Sequence, residues 1–348
     1  MSRPRVTVAI PLFNGAPEIK RAISSVLKQT MDDFEILVID DGSTDSSCAE
    51  VESMEDGRIR LLRNGENHGI AWTRNRLVSE ARGEFLAWLD HDDACVENRL
   101  IRQVEVFVHS PDTVLCGSAS RVHTQGAGGQ TATIIPSVSG RLLAASQLFW
   151  NVISTSTVMM RLDLVRDSAI TFKSSIEPAE DYGFWFDSAG LGLVEIIDEV
   201  LVDRWELGTG ASARQPEKQL RGAQEVRKAA VEHLFPKLGL PTTSTYGLLI
   251  EGVTSETNPA EVREAVVWLE TIAKLSPEDQ RFDPSDMRLI AGAVLLRLSR
   301  SLYKISPMSA VKNLLKSDLR FPAAHWAIRR FAAKSGEKIT RATTVARV

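Results

Sequence analysis

The sequence predicts an α/β fold, a mostly parallel sheet flanked by helices, followed by an α-helical C-terminal region. Two observations predict the sheet. "RVTVAIPLF" (5–13) and "FEILVID" (34–40) are short, β-branched and almost wholly apolar, the pattern of strands buried on both faces. Between them, "PEIKRAISSVLKQT" carries Ile19, Ala22, Ile23, Val26 and Leu27 at helical spacing. The third observation is a change of composition near residue 215. Beyond it the chain is a series of helix-forming runs separated by Pro241, Pro259, Pro277, Pro284 and Pro307.

The elements follow in order. After the first two strands and their helix come a helix from Asp45, a strand "RIRLLR", a helix from Ile70 to Ala81 and a strand "EFLAWLD". Alternation of this kind implies right-handed βαβ units. Beyond residue 108 the pattern loosens. "TVLCGSASRVH" reads as one or two strands, "TQGAGGQTAT" as a Gly-rich loop, "STSTVMMR" as a strand, "EPAEDYGFWFDSAGLG" as a helix ended by glycine, and "LVEIIDEVLVDRW" as strands. The predicted boundary lies near 214, dividing 1–213 from a helical domain, 214–348.

Composition bounds the function. The 348 residues are 43% hydrophobic and 25% charged, ordinary for a globular protein, and the net charge of −4 gives no nucleic-acid signal. Cys48, Cys95 and Cys116 lack CxxC spacing and fit free thiols in a reducing cytosol. The N-terminus reads as a first strand, not a signal peptide. The most apolar run, "LIAGAVLLRLS", is broken by Arg297 and falls short of the ~18 residues a membrane span needs.

In open α/β sheets, ligands bind beyond the C-terminal ends of the strands. Three such ends are polar: Pro11 to Asn14, "DDGSTD" (40–45) and "DHDD" (90–93). In "DDGSTD" a turn and helix cap would explain Gly42, Ser43 and Asp45 but not Asp40 and Asp41. The other reading gives an aspartate that accepts a bond from a ligand N–H, and the residues alone leave the two even. In "DHDD" one carboxylate could cap the next helix, but a cap does not need three acids. A hard divalent cation with oxygen ligands explains them better. Glu180 and Asp181 open a helix, where acids favour the helix dipole. The alternative is a general base in an apolar pocket. Phe184, Trp185 and Phe186 beside them read as core. "GTGASA" is misplaced for a dinucleotide fingerprint, and no phosphate loop or GxSxG elbow occurs.

Taken in order, "VAIPLFNGAPEIKRAISSVLKQT", "FEILVIDDGSTDSS", "NHGIAWTRNRLVSEARGEFLAWLDHDD" and "EDYGFWFDSAGLG" resemble the family-2 glycosyltransferases, inverting enzymes with the Rossmann-like GT-A fold. The resemblance spans roughly residues 5–213. It implies a nucleotide-diphosphate sugar donor, foremost a UDP-sugar, a Mn2+ or Mg2+ ion, and a glycan or lipid-linked acceptor. It places the base against Pro11, Phe13 and Asn14 and gives Asp41 the nucleobase contact, with Asp40 beside it. Arg74 supplies a basic contact near the nucleotide. Asp92 contacts the ribose, Asp93 the metal, and Asp90 supports the motif, with His91 a spacer. Asp181 matches the catalytic base and Glu180 neighbours it.

Two departures matter. Where many members carry Arg-x-His, this chain has Arg204, Trp205 and Glu206, which leaves those residues a role on the acceptor or phosphate side and puts a histidine there in doubt. Leu201 replaces the Gln or Arg of processive synthases, so single-sugar addition is expected, in bacterial cell-surface polysaccharide or glycolipid assembly. Residues 304–348 hold ten Lys or Arg against Asp318 and Glu337. With Phe321, Trp326, Ile328 and Phe331 among them, one reading is an amphipathic helix on an anionic membrane surface, which would place a cytoplasmic protein on the inner face of the plasma membrane. The others are packing on the catalytic domain and a homodimer. A nucleotidyltransferase and a non-catalytic sugar-nucleotide scaffold are the rival functions.

Overall fold

The computed structural model describes residues 3–124, 130–136, 141–206, 214–275, 283–303 and 305. Strands β1 (Val6–Leu12), β2 (Phe34–Asp40), β3 (Ile59–Arg63) and β4 (Phe85–Trp88) form a parallel unit in the order β3-β2-β1-β4. Helices α1 (Ala16–Leu27), α2 (Ser47–Glu52) and α3 (Ile70–Glu80) connect them. β1 and β2 are buried throughout because successive residues serve opposite faces. Val8, Ile10, Ile36 and Val38 meet Ile19 and Ile23 of α1 in one core. Ala9, Leu37 and Ile39 meet Leu77 of α3 in the other. Pro11 lies past the last β1–β4 pair, Ala9 with Trp88, where the ladder is already open on that side.

Beyond β4 the sheet becomes mixed. The two-residue β5 (Ala94–Cys95) leads to α4 (Arg99–His109) and to β6 (Thr113–Thr124), one long strand where one or two were expected. β7 (Thr131–Ile134) pairs with β6, and α5 (Arg141–Ser146) follows. The "STSTVMMR" run is strand only in its second half: Thr155–Thr157 is a turn of 3-10 helix, and β8 (Met159–Arg161) runs antiparallel to both β4 and β6. α6 (Leu162–Asp167) and α7 (Glu180–Ser188) precede β9 (Leu193–Glu206), a single 14-residue strand parallel to β6 and antiparallel to β5.

Among the described residues four further helices follow: α8 (Pro216–Leu234), α9 (Thr243–Glu251), α10 (Pro259–Ile272) and α11 (Pro284–Tyr303). Proline opens α8 and α10, where its missing N–H costs nothing. Thr242 and Asn258 cap α9 and α10 through their side chains. Trp268, Leu269, Met287 and Ile290 belong to the same apolar cluster as Trp88 and Trp185, so these helices share a core with the sheet. Cys48, Cys95 and Cys116 are free. Among the described residues no helix is long and apolar enough to cross a membrane. "GTGASA" and the basic segment beyond Ile305 lie outside the described residues, as do residues 125–129 of the Gly-rich loop, whose end, 131–133, belongs to β7.

Candidate active site

The ends of β1, β2 and β4 meet on one rim. The Asp41 N–H donates to Leu12 O at 2.8 Å, and the Asn14 N–H to Ser43 Oγ at 2.9 Å. Asn14 Oδ1 accepts from the Thr44 N–H at 2.8 Å, which leaves Phe13 half exposed between them and the solvent. Gly42 has φ of 79°, and a Cβ there would lie 2.7 Å from the Glu66 backbone, so the turn admits only glycine. Asp45, the expected cap, accepts from Ala16 N at 3.2 Å and Ser47 N at 3.0 Å, tying the starts of α1 and α2 together.

Asp40 and Asp41 are both buried. Asp40 accepts from Ser43 N at 3.2 Å. Asp41 accepts from Asn64 Nδ2 at 2.6 Å, His68 N at 3.0 Å and Gly69 N at 2.9 Å. An ionised carboxylate has about four acceptor positions, so the protein itself uses most of those on Asp41 to fix the 64–69 loop.

"DHDD" forms a tight turn closed by Asp93 N–H to Asp90 O at 3.1 Å and held by Asp90 N–H to Ser156 Oγ at 3.0 Å. Asp93 does not cap a helix, since α4 begins at Arg99 behind Asn98. Its carboxylate turns inward, 4% exposed, and accepts from Trp205 N at 3.1 Å; Arg204 Nε stands 3.9 Å away. Burial and the neighbouring Asp90 push Asp93 up to about 7, against Arg204. Burial and Asp90 also raise Asp92. His91 is more than a spacer: its ring sits against Gly15, where a Cβ would lie 2.1 Å from Cδ2. Arg21 donates to Asp92 O, and its guanidinium lies 3.7 Å from the Trp205 ring centroid. His123 of β6 stacks on Trp205 at 4.7 Å, so the aromatic neighbour there comes from another strand.

The third group arrives on α7. Glu180 is 3% exposed; its Oε1 lies 2.5 Å from Arg74 Nη1, and its Oε2 has no partner. Arg74 also reaches Asp90 Oδ1 at 3.3 Å and so joins the third motif to the second. Burial works against the Arg74 charge, but Glu180, Asp90 and Asp181 together outweigh it and raise the group. Burial lifts Glu180 to about 7, opposed by Arg74 and reinforced by Asp181. Asp181 Oδ2 accepts from Thr155 Oγ1 at 3.1 Å and Asn151 Nδ2 at 3.5 Å. Burial raises Asp181 as well, and Arg74 opposes it. A carboxylate oriented in this way and raised by burial is suited to accepting a proton.

Among the described residues no three metal-ligating side chains converge. The donors present still fit a hard cation. Mg2+ takes one or two carboxylates and completes its shell with substrate phosphates and water. Asp93 has an oxygen not used by Trp205, and the burial and repulsion from Asp90 that raise Asp92 and Asp93 are costs that a cation offsets.

Several residues of the site had no distinct signal in the sequence. Asn151, Thr155 and Ser156 lie in or beside a run that reads as a strand, although its hydroxyl content is unusual for one buried. Glu177 accepts from the Ala71 N–H at 2.8 Å and caps α3 from a distant loop.

The model of glycosyl transferase family 2 matches residues 7–162. A UDP-Glc:alpha-D-GlcNAc-diphosphoundecaprenol beta-1,3-glucosyltransferase, WfgD of Escherichia coli, is 30% identical over 182 residues, which cover 52% of this chain and 68% of that protein. The chain belongs to glycosyl transferase family 2. This family-2 chain is also 26% identical over 246 residues to an uncharacterized glycosyltransferase of Haemophilus influenzae, covering 68% of this chain and 76% of that one. Its fold is like that of S. aureus TarS in complex with UDP-GlcNAc, with a TM-score of 0.55 at 17% identity over 86% of this chain and 88% of the other. The mannosyltransferase PcManGT of Pyrobaculum calidifontis, in complex with GDP-Man and Mn2+, gives a TM-score of 0.53 at 18% identity over 96% and 89%. The family-2 assignment and these likenesses establish the GT-A fold.

Proposed function

We propose that this glycosyltransferase moves one sugar, with inversion, from a UDP-sugar to a hydroxyl of a glycan or lipid-linked acceptor. The setting is cell-surface polysaccharide or glycolipid assembly at the cytoplasmic face of the membrane. The observation that carries the reading is the placement of Asp181. Thr155 and Asn151 orient its carboxylate, and Arg74 links its helix to the Asp90–Asp93 turn. The E. coli relative's named reaction, with UDP-Glc and a diphospho-lipid acceptor, supports the donor and acceptor classes.

In this mechanism Pro11, Phe13 and Asn14 border the nucleobase, with Asp41, beside Asp40, offering it an acceptor and Asp92 taking a ribose hydroxyl. Asp93 would hold the Mn2+ or Mg2+, which supplies charge stabilisation to the departing diphosphate. Asp181 accepts the proton of the acceptor hydroxyl as that oxygen attacks the anomeric carbon. The bond to the diphosphate breaks on the opposite face, so one displacement inverts the centre. Arg204 and Trp205 lie on the phosphate side. Residues 1–213 are assigned the chemistry and 214–348 the docking to acceptor, membrane or second copy.

A panel of nucleotide sugars, each with Mn2+ or Mg2+, tests this first by thermal shift and then by transfer or hydrolysis. Stabilisation by one donor with turnover supports the enzyme. Stabilisation without any turnover would leave the scaffold alternative. Family membership removes the nucleotidyltransferase.

A further inference from the structure

Behind the helix that carries Asp181 is a separate cavity walled by α8 and α9, with a volume of about 250 Å3. Pockets for drug-sized ligands and cofactors are typically ~300–1,000 Å3, so this one suits a smaller group than a nucleotide sugar. Leu220, Leu240 and Ile250 give it apolar walls, and Tyr246 and Arg227 line it as well. The exposed rim is balanced, with Arg221 and Lys228 against Glu225 and Glu251.

The interior is not balanced. Arg227 is 2% exposed and its Nε has no hydrogen-bond partner. Its guanidinium carbon lies 5.6 Å from the centroid of the Tyr182 ring. Among the described residues no carboxylate makes an ion pair with it. Neither tyrosine can supply the missing charge. Tyr182 donates its hydroxyl to Gln147 O, and burial pushes it up to about 12. Tyr246 donates to Leu148 O at 2.7 Å and is raised by burial too. Arg297, itself with a buried unpartnered Nη1, is depressed first by burial and then by the positive charge of Arg227. The contacts of Arg227 with Tyr182 bring no opposite charge, and a buried guanidinium lacking one is costly.

We propose that this cavity binds an oxyanion, a phosphate carried free or on an alkyl chain, with Arg227 as its counter-charge. The site is separate from the donor rim and independent of the function proposed above. Arg227 packs on Tyr182, the residue after Asp181, so the anion would sit one side chain from the catalytic helix.

Thermal denaturation of the full chain tests this, in chloride, inorganic phosphate and hexyl phosphate at matched pH and ionic strength. Ten times the dissociation constant of either probe should raise Tm by about 2–3 °C. The larger of the two shifts identifies whether the phosphate is free or alkyl-borne. Arg227→Met should lose the shift. Because that variant changes a buried residue, Gly247→Leu serves as the second. Gly247 lines the cavity, a Cβ there meets nothing within 4 Å, and leucine is the better helix former. It should fold and lose the anion-dependent shift. Both variants keep the donor rim, so a shift undiminished in both would come from phosphate bound there. No anion-dependent shift in the wild-type chain, or an undiminished shift in Gly247→Leu, would overturn the proposal.

Discussion

Arg74 Nη1 lies 2.5 Å from Glu180 Oε1, a buried ion pair between residues 106 apart in sequence. It pins α7 to α3, and with the second contact to Asp90 it fixes the distance between the carboxylates of two motifs. Glu180 therefore holds the start of α7, next to Asp181, against α3.

Above pH 7, where Glu180 is ionised, Arg74→Ala should destabilise the protein by about 3–5 kcal/mol, the usual cost of leaving one partner of a buried pair uncompensated. Arg74→Lys keeps the charge but cannot span Glu180 and Asp90 as a planar fork does, and should recover only part of the loss. Urea denaturation of both variants measures this. Equal stability of wild type and Arg74→Ala would show that the pair does not brace the site.

The raised Glu180 sets a pH dependence. Its folded form holds a proton up to about 7, whereas an unfolded glutamate releases it near 4.5. Between those values the native state binds more protons, so stability must fall as pH rises, by at most ~1.4 kcal/mol per unit for one group. The contribution is complete below about 4.5 and gone above about 7. Melting curves from pH 4.5 to 8 should slope downward in the wild type and less steeply in Glu180→Gln. Parallel slopes would remove Glu180 as the cause.

Asp181→Asn should lower kcat by ~10²–10⁴, the range of a general base, while UDP binding changes by no more than a few-fold. Calorimetric titration with UDP beside steady-state transfer separates the two. A comparable loss of UDP affinity would move Asp181 from the chemistry to the donor site.

Asp93→Ala should abolish the response of donor binding to added Mn2+, and chelation of the wild type should reproduce that loss. If the variant keeps full metal dependence of UDP-sugar affinity, the cation is held elsewhere.

Gly15→Ala should be destabilising, because the new methyl would occupy the position of the His91 ring. Gly15→Ala with His91→Ala should regain most of the stability, as expected for two residues sharing one space. Without that recovery, the tight approach of β1 and β4 ends would not depend on His91.

The parallel half of the sheet was legible because its strands are buried on both faces, and an apolar run of seven residues leaves few other structures. Past β4 legibility fell. β5 is too short to show a period, and the "STST" run mixes a 3-10 turn with a strand that pairs antiparallel on both sides. In the site, Asp40, Asp41, Asp90, Asp92 and Asp93 stood out since acids at the ends of apolar runs are expensive without a purpose, whereas Asp181, at a helix start, was marked only by the family resemblance. Ser156, Thr155, Asn151 and Glu177 did not, because hydroxyls, amides and single acids occur in any loop.

The sequence by itself determined which faces would be buried and which strand ends would be acidic, since both follow from residue type and local period. The tertiary structure alone decided how the acids divide their partners. Asp41 is spent largely on its own loop, Asp93 turns inward to Trp205, and Glu180 meets Arg74. Those outcomes depend on distances between residues far apart in the chain, which no local pattern encodes.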